Sequence, residues 1–163
     1  MNQFFSHDIF DLIARIRPKW SSSNTDLVQF TGGINNTTFG LFDKQNHSDG
    51  LVIKIFGSKT DEFIDRQDEL QNLNILAKHG LAQPILVQFP HGYIYEYLPG
   101  EICSRDDIRL PNIAPLIAQT IAKLHSIPIV DQQQSPCLVR LMRKFLTLID
   151  NKNHEDFSSG ENK

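Results

Sequence analysis

The amino-acid sequence predicts an α+β fold in which a five-stranded antiparallel sheet carries one inserted helix and is followed by further helices. Five short apolar stretches with strand-like composition support the sheet. Short turn-forming segments separate two pairs of these stretches, which favours antiparallel hairpins. Helical periodicity interrupts the strands once, after the third, and a helix inserted there must cross one face of the sheet.

The elements before the inserted helix begin with an amphipathic helix at residues 4–16, whose apolar side chains share one face until Arg17-Pro18 ends the pattern. A polar loop follows at 21–25. Three strands are then predicted, at residues 27–30, 37–42 and 51–56. The segment D-K-Q-N-H-S-D-G joins the last two strands, and its many turn formers predict a hairpin.

The inserted helix is predicted after Gly57, where apolar residues recur at helical spacing as far as Gly80, a glycine in the position of a helix C-terminal cap. Two strands then flank the turn P-H-G, and two helical segments follow. Their ranges are 85–89, 93–98, 112–125 and 137–149. Pro115 is tolerated because it falls in the first turn of its helix.

This order divides the chain into four parts. They are an N-terminal helix and loop at 1–26, a sheet-containing lobe at 27–98, a connector with helices at 99–149, and a tail at 150–163. The tail contains one large apolar residue, so we expect it to be disordered.

The composition excludes several classes of function. A formal charge of −3 argues against a nucleic acid partner, and no apolar run reaches the roughly 20 residues of a membrane span. Cys103 and Cys137 lie far apart without a partner motif, so two reduced thiols are expected, and the histidines show no metal-ligand spacing. We therefore expect a cytoplasmic protein with no metal site in this chain.

Lys54 and Glu69 are the first candidate functional residues. Lys54 sits in the middle of the apolar strand L-V-I-K-I-F, where its burial is costly without a partner. It either extends its long side chain to solvent from an edge strand or meets an opposite charge. Glu69 lies at the margin of the inserted helix's packing face, from which it can reach back to Lys54. Alternatively, Glu69 is a solvated charge, as we expect for Asp65, Arg66 and Asp68.

The stretch T-G-G-I-N-N-T-T-F-G-L-F at 31–42 places a glycine turn before a strand. Glycine permits close approach of the backbone, so the N–H groups of such a turn can cover phosphates. By itself the pattern is also typical of an ordinary turn. Together with a strand lysine and a helix glutamate that fixes it, the pattern favours a phosphate site.

The stretch Y-E-Y-L-P-G at 95–100 ends the last strand in Pro-Gly. It predicts an extended connector to a second lobe, whose backbone groups could bond to an adenine edge. An aromatic strand end that packs on the core is the alternative, and the two are compatible.

Several blocks together resemble the choline/ethanolamine kinase family, and its ethanolamine kinase branch most. They are F-T-G-G-I-N-N, V-I-K-I-F-G-S-K-T-D-E-F-I-D-R-Q-D-E-L, L-A-K-H-G-L-A, G-Y-I-Y-E-Y-L-P-G-E and I-A-K-L-H-S-I, within residues 28–127. The resemblance implies a protein-kinase-like fold, with the small lobe at 27–98 and the first helices of an incomplete large lobe after it. It also implies transfer of the γ-phosphoryl group of Mg-ATP to ethanolamine, in phosphatidylethanolamine biosynthesis.

The resemblance implies a role for each matched residue. The phosphate-covering loop would include Gly32, Gly33, Asn35, Asn36 and Thr37. Lys54 would contact phosphate with Glu69 as its ion-pair partner, and Glu96, Tyr97 and Leu98 would form the adenine-facing connector. The family commonly has arginine at the position of Lys54, so the charge is kept but the bidentate fork is lost.

The sequence departs from the family by lacking the catalytic loop H-N-D-x-x-x-x-N and the later D-x-E motif for magnesium. His125 reads as a helix-end residue, so no catalytic residue is assigned in this chain. We expect the metal ligands in the missing lobe and a chain that is inactive or nearly so alone. The alternatives are a noncatalytic truncated isoform, forming a homodimer or pairing with a full-length kinase, and a kinase for another small alcohol such as choline or an aminoglycoside.

Overall fold

A computed structural model describes residues 7–31, 33, 35–58, 60–128 and 137–158 of the chain. Its strands are β1 Thr25–Phe30, β2 Asn36–Asp43, β3 Gly50–Phe56, β4 Ile85–Phe89 and β5 Gly92–Glu96. Its helices are α1 His7–Ile16, α2 Arg66–Lys78, α3 Ala114–His125 and α4 Cys137–Ser158, with short 3-10 turns at Thr60–Glu62 and Asp107–Arg109.

The strands form one antiparallel sheet in the order β1-β2-β3-β5-β4. The predicted five-stranded sheet with one inserted helix is therefore confirmed. The order of the strands in the sheet differs from their order along the chain, because β5 pairs with both β4 and β3 and leaves β4 at an edge. As a result, Lys54 lies at the centre of the sheet, opposite Thr38 on β2 and Tyr93 on β5.

The hydrophobic core lies between α1 and one face of the sheet. Ile9 and Ile13 of α1 join a cluster with Ile53, Ile94 and other inward-facing strand residues, and Ile13, Ile53 and Ile94 are fully buried. Successive strand residues point to opposite faces, so Lys54 faces away from α1. The sheet therefore has a closed apolar face behind the candidate site and an open face that holds it.

Helix α2 begins later than the apolar pattern suggested, because Asp65 caps it. The Asp65 carboxylate accepts hydrogen bonds from the backbone N–H groups of Gln67 and Asp68, at 3.0 and 3.1 Å. Asp65 is exposed to solvent, as expected of a solvated charge, but its carboxylate also satisfies otherwise unpaired helix donors. At the other end Gly80 has φ 66°, as the predicted C-terminal glycine requires.

The helices after the sheet are much more exposed. Helix α3 has no buried residue and carries Pro115 near its start, as predicted. Helix α4 continues to Ser158, beyond the boundary predicted at residue 150, and the sequence has no proline or glycine between 150 and 158 to end it. Residues 159–163 of the predicted tail lie outside the described residues. None of the described helices has the length and apolar character needed to cross a membrane.

Candidate functional site

Lys54 and Glu69 come together on the open face of the sheet. Lys54 Nζ donates to Glu69 Oε1 at 2.7 Å and to the Tyr93 hydroxyl at 2.9 Å. The Tyr93 hydroxyl in turn donates to Glu69 Oε1 at 3.2 Å. Lys54 is on a central strand and its side chain is about one-fifth exposed, at 22%. The structure thus favours a partnered lysine over one that extends to solvent from an edge strand.

Arg66 is a second cation on the same glutamate. Its NH1 donates to Glu69 Oε2 at 2.6 Å, and its guanidinium lies 4.0 Å above the centre of the Phe56 ring. The expectation that Arg66 is a solvated charge was therefore wrong, since its side chain is only 13% exposed. Because α2 begins at Arg66, this residue lies three positions before Glu69 on the same side of the helix.

These contacts set the charge states of the pair. Burial acts to raise the pKa of Glu69, but the hydrogen bonds from Lys54 and Arg66 outweigh it and hold that pKa below its usual value. Burial acts to lower the pKa of Lys54, but the hydrogen bonds to Glu69 and Tyr93 outweigh it and raise that pKa. Both groups are therefore held in their charged forms at neutral pH.

The glycine turn before β2 is closely packed on the end of β3. A Cβ atom added to Gly33 would lie 2.9 Å from the Asn36 carbonyl oxygen. The Gly57 N–H, just after β3, donates to the Asn35 carbonyl oxygen at 3.0 Å, and a Cβ atom added to Gly57 would lie 2.2 Å from that oxygen. Both positions therefore depend on glycine for their close backbone approach.

The other predicted residues of the turn differ in their surroundings and in the face on which they lie. Gly32 lies outside the described residues. The Oδ1 atom of Asn36 is buried without a hydrogen-bond partner in the protein. Thr37 pairs with Ile55 and, by the alternation of the strand, lies on the face opposite Lys54, so only its backbone is available to the turn.

The connector after β5 is anchored to α1 through Glu96. Both carboxylate oxygens of Glu96 accept hydrogen bonds from Arg17 NH2, at 2.9 and 2.8 Å. The Tyr97 N–H donates to the Gly50 carbonyl oxygen at 2.8 Å, and the Leu98 side chain is 69% exposed. The Glu96 side chain is thus committed to Arg17, and the backbone from 96 to 98 is what could meet an adenine.

The open face between the turn and the connector carries the candidate site. Its strand residues include Val28, Val52 and Tyr95, which share the face of Lys54 by strand alternation and register. The lysine ammonium and the backbone of a glycine turn are donors suited to phosphate oxygens. For a metal the fit is poor, because no three His, Cys, Asp or Glu side chains within the described part of the chain lie close enough to hold one.

Sequence reasoning missed Arg66, Tyr93 and Arg17 as members of the site. The alternation in Y-I-Y-E-Y indicates that Tyr93 and Tyr95 share one face of their strand. It does not indicate that Tyr93 lies opposite Lys54, because that depends on which strands pair and in which register. The contacts of Arg66 and Arg17 depend on where α2 begins and on how α1 crosses the sheet. Neither is a local property of the sequence.

A five-stranded antiparallel sheet whose inserted helix presents a glutamate to a strand lysine defines the small lobe of a protein-kinase-like fold. The chain belongs to the Choline/ethanolamine kinase family, whose sequence pattern matches residues 27–163.

Individual relatives and solved structures resemble the chain over most of its length. Human ethanolamine kinase 2 is 29% identical over 148 residues, which cover 91% of this chain and 38% of the relative. An ethanolamine kinase structure from Plasmodium vivax superposes with a TM-score of 0.72 at 24% identity, covering 90% of this chain and 43% of that one.

An aminoglycoside kinase solved as a ternary complex with streptomycin and ATP superposes with a TM-score of 0.52 at 18% identity, covering 80% and 42% of the two chains. These structural likenesses show the fold. The chain spans less than half the length of the relative and of both structures.

Proposed function

We propose that this chain forms the nucleotide-binding small lobe of an ATP-dependent ethanolamine kinase. The observation that supports this most is the Lys54–Glu69 ion pair on the open face of the sheet, beside a glycine turn that is packed against the end of β3. In kinases such a lysine contacts the ATP phosphates while the glutamate fixes its position.

Each part of the site has a proposed role. Lys54 neutralises phosphate oxygens, and Glu69 keeps its ammonium directed at them. The turn formed by Gly32, Gly33, Asn35, Asn36 and Thr37 covers the phosphates with its backbone. The backbone from Glu96 through Leu98 bonds to the adenine edge. When bound, Mg²⁺ neutralises charge on the transferring phosphoryl group; its ligands are proposed to lie outside the residues described here.

Ethanolamine is the proposed acceptor because the matched relatives include proteins named ethanolamine kinase. Choline and other small alcohols remain alternatives, since a family that also includes choline kinases matches the chain. We further propose that the protein acts in the cytoplasm, in the synthesis of phosphatidylethanolamine, and that it forms a homodimer or pairs with a full-length kinase.

A noncatalytic role is the second candidate. The hydrogen bonds described for the Lys54–Glu69 pair all come from residues before Leu98, so a lobe of this kind could bind ATP and regulate a full-length partner without transferring the phosphoryl group itself.

Two measurements on the purified chain test these proposals. Isothermal titration with ATP should show binding that Lys54→Ala weakens strongly; no binding by the wild-type chain would overturn the nucleotide-lobe assignment. Turnover of labelled ethanolamine with Mg-ATP, beside a choline control, should stay at background for this chain alone. Clear formation of phosphoethanolamine would instead assign a catalytic base to residues of this chain.

A further inference from the structure

Arg66 connects the Lys54–Glu69 pair with the 3-10 turn that follows β3. No side-chain contact described above joins these two parts of the site directly. Its NH1 donates to Glu69 Oε2 at 2.6 Å, whereas its NH2 donates to the Thr60 hydroxyl. The guanidinium is held in place from below by the Phe56 ring, 4.0 Å away. One planar fork therefore spans helix α2 and the 3-10 turn that follows β3.

The Thr60 end of this fork leads to the glycine turn. The Thr60 hydroxyl donates to the Gly57 carbonyl oxygen at 2.7 Å, and Thr60 is only 7% exposed. The Gly57 N–H donates to the Asn35 carbonyl oxygen at 3.0 Å. Thr60 and Gly57 thus fasten Asn35, and with it the turn, to the position of Arg66.

The Glu69 end leads to Lys54. Each oxygen of the Glu69 carboxylate has a different cation: Oε2 accepts from Arg66 and Oε1 accepts from Lys54 at 2.7 Å. A carboxylate held at one oxygen has less freedom to rotate, so the other oxygen directs the lysine ammonium more strictly. Glu69 also lies partly buried, at 20% exposed, where these bonds are less screened.

We propose that Arg66 is a positioning residue that couples the phosphate-covering turn to the Lys54–Glu69 pair, so that both are set together for the nucleotide phosphates. The proposal rests on the proposed function for the identity of the ligand, ATP. The coupling itself is a property of the free protein and can be measured without it.

The two branches respond differently to substitution of the arginine. Lysine at position 66 can place a charge near Glu69 but has no planar fork to reach Thr60 at the same time. Thr60→Val removes the hydroxyl and keeps the shape of the side chain, so it separates the turn branch from the Glu69 branch.

The experiment compares the full chain with Arg66→Gln, Arg66→Lys and Thr60→Val. The matched control is Arg15→Gln, which removes an exposed arginine from α1, the helix behind the sheet. The first readout is hydrogen exchange at the Gly57 amide, with the Ile53 amide in the core as the internal reference for folding. The second is the dissociation constant for ATP.

Arg66→Gln and Thr60→Val should both speed exchange at Gly57 relative to Ile53, and Arg66→Gln should weaken ATP binding roughly tenfold. Arg66→Lys should recover part of the ATP affinity while the Gly57 amide still exchanges fast; a merely structural arginine would not divide its effects in this way. Arg15→Gln should change neither readout.

Unchanged Gly57 exchange in Arg66→Gln or in Thr60→Val would overturn the coupling, whatever the nucleotide does. If Arg66→Gln does not fold, Arg66→Lys and Thr60→Val decide the question by the same criteria. Wild-type protein that fails to bind ATP would reject the proposed function, while the exchange data would still accept or reject the coupling.

Discussion

The sheet with helix α1 and the helices that follow Leu98 differ in how their apolar side chains are covered. In the first region, Ile13, Ile53 and Ile94 are 0% exposed. In the second, Leu116 and Ile121 of α3 are 56% and 47% exposed, and α3 has no buried residue. A domain needs two packed layers around one core, so the described residues contain one closed core and one helical layer whose apolar stripe is uncovered.

This difference shows that the sheet and α1, rather than the later helices, hold the candidate site in place. Lys54 and Tyr93 stand on central strands with the closed core directly behind them, and the connector is tied to α1 through Arg17 and Glu96. Every described contact of the Lys54 cluster lies before Leu98. The site can therefore be in place although the helices after it are not packed into a core.

The largest expected contrast is in the cost of removing one apolar side chain from each region. Ile53→Ala should lower the free energy of unfolding by about 2–5 kcal/mol, because it leaves a cavity in a fully buried site. Ile121→Ala should change it by no more than about 0.5 kcal/mol, since that side chain is half exposed. Urea denaturation measures both, and equal losses would show that α3 is packed as tightly as the sheet.

The second contrast concerns glycines. Gly57→Ala should destabilise the protein by about 1–3 kcal/mol and weaken ATP binding, because its Cβ atom would lie 2.2 Å from the Asn35 carbonyl oxygen. Gly100→Ala is the matched control, since nothing lies within 4 Å of a Cβ atom there. Thermal unfolding and ATP titration measure the two effects, and a harmless Gly57→Ala would contradict the close packing of the turn on β3.

The third prediction is a pH dependence that belongs to the sheet region. The pKa of Glu69 is held below its usual value in the folded protein, so the unfolded chain binds more protons through this group as the pH falls. The stability from Glu69 should be fully present above its unfolded pKa of about 4.3 and should be lost as the pH falls through the lower folded pKa.

Urea unfolding of wild type and Glu69→Gln from neutral pH down to pH ~3 measures this contribution. Wild type should be more stable at neutral pH, and the difference between the two proteins should shrink below pH ~4.3. Curves that stay parallel across this range would mean that Glu69 is not ion-paired in solution.

The smallest effect on stability is expected in α4, where the effect on association should be large. Met142, Leu146 and Ile149 are 56%, 60% and 56% exposed. Replacing all three with glutamine should reduce self-association, because they form part of an exposed apolar stripe, and should leave the unfolding temperature nearly unchanged. Light scattering and thermal unfolding measure these effects; a large fall in the unfolding temperature would show that these three side chains are packed against the lobe, as the Phe145 ring is against Phe63, with 6.5 Å between ring centroids.

Much of the fold followed from the sequence because its signals are local. The two-residue alternation in L-V-I-K-I-F placed Lys54 on a strand, and Gly80 marked the end of the inserted helix, where the structure has a glycine at φ 66°. The polar composition of Asp150 and the residues after it suggested disorder, whereas α4 continues to Ser158. Composition is a weaker signal there than the absence of a helix-breaking residue.

The sequence by itself determined the kinds of elements and the presence of a lysine in the middle of an apolar strand, but it left open whether that lysine extends to solvent from an edge strand or meets Glu69. Only the tertiary structure decided that β5 lies between β3 and β4, which puts Tyr93 opposite Lys54. It also decided that Arg66 bonds Glu69 and Thr60 and that Arg17 bonds Glu96. The physical reason is range: periodicity and capping act over a few residues, whereas Arg17 and Glu96 are 79 positions apart and meet only when α1 packs on the completed sheet.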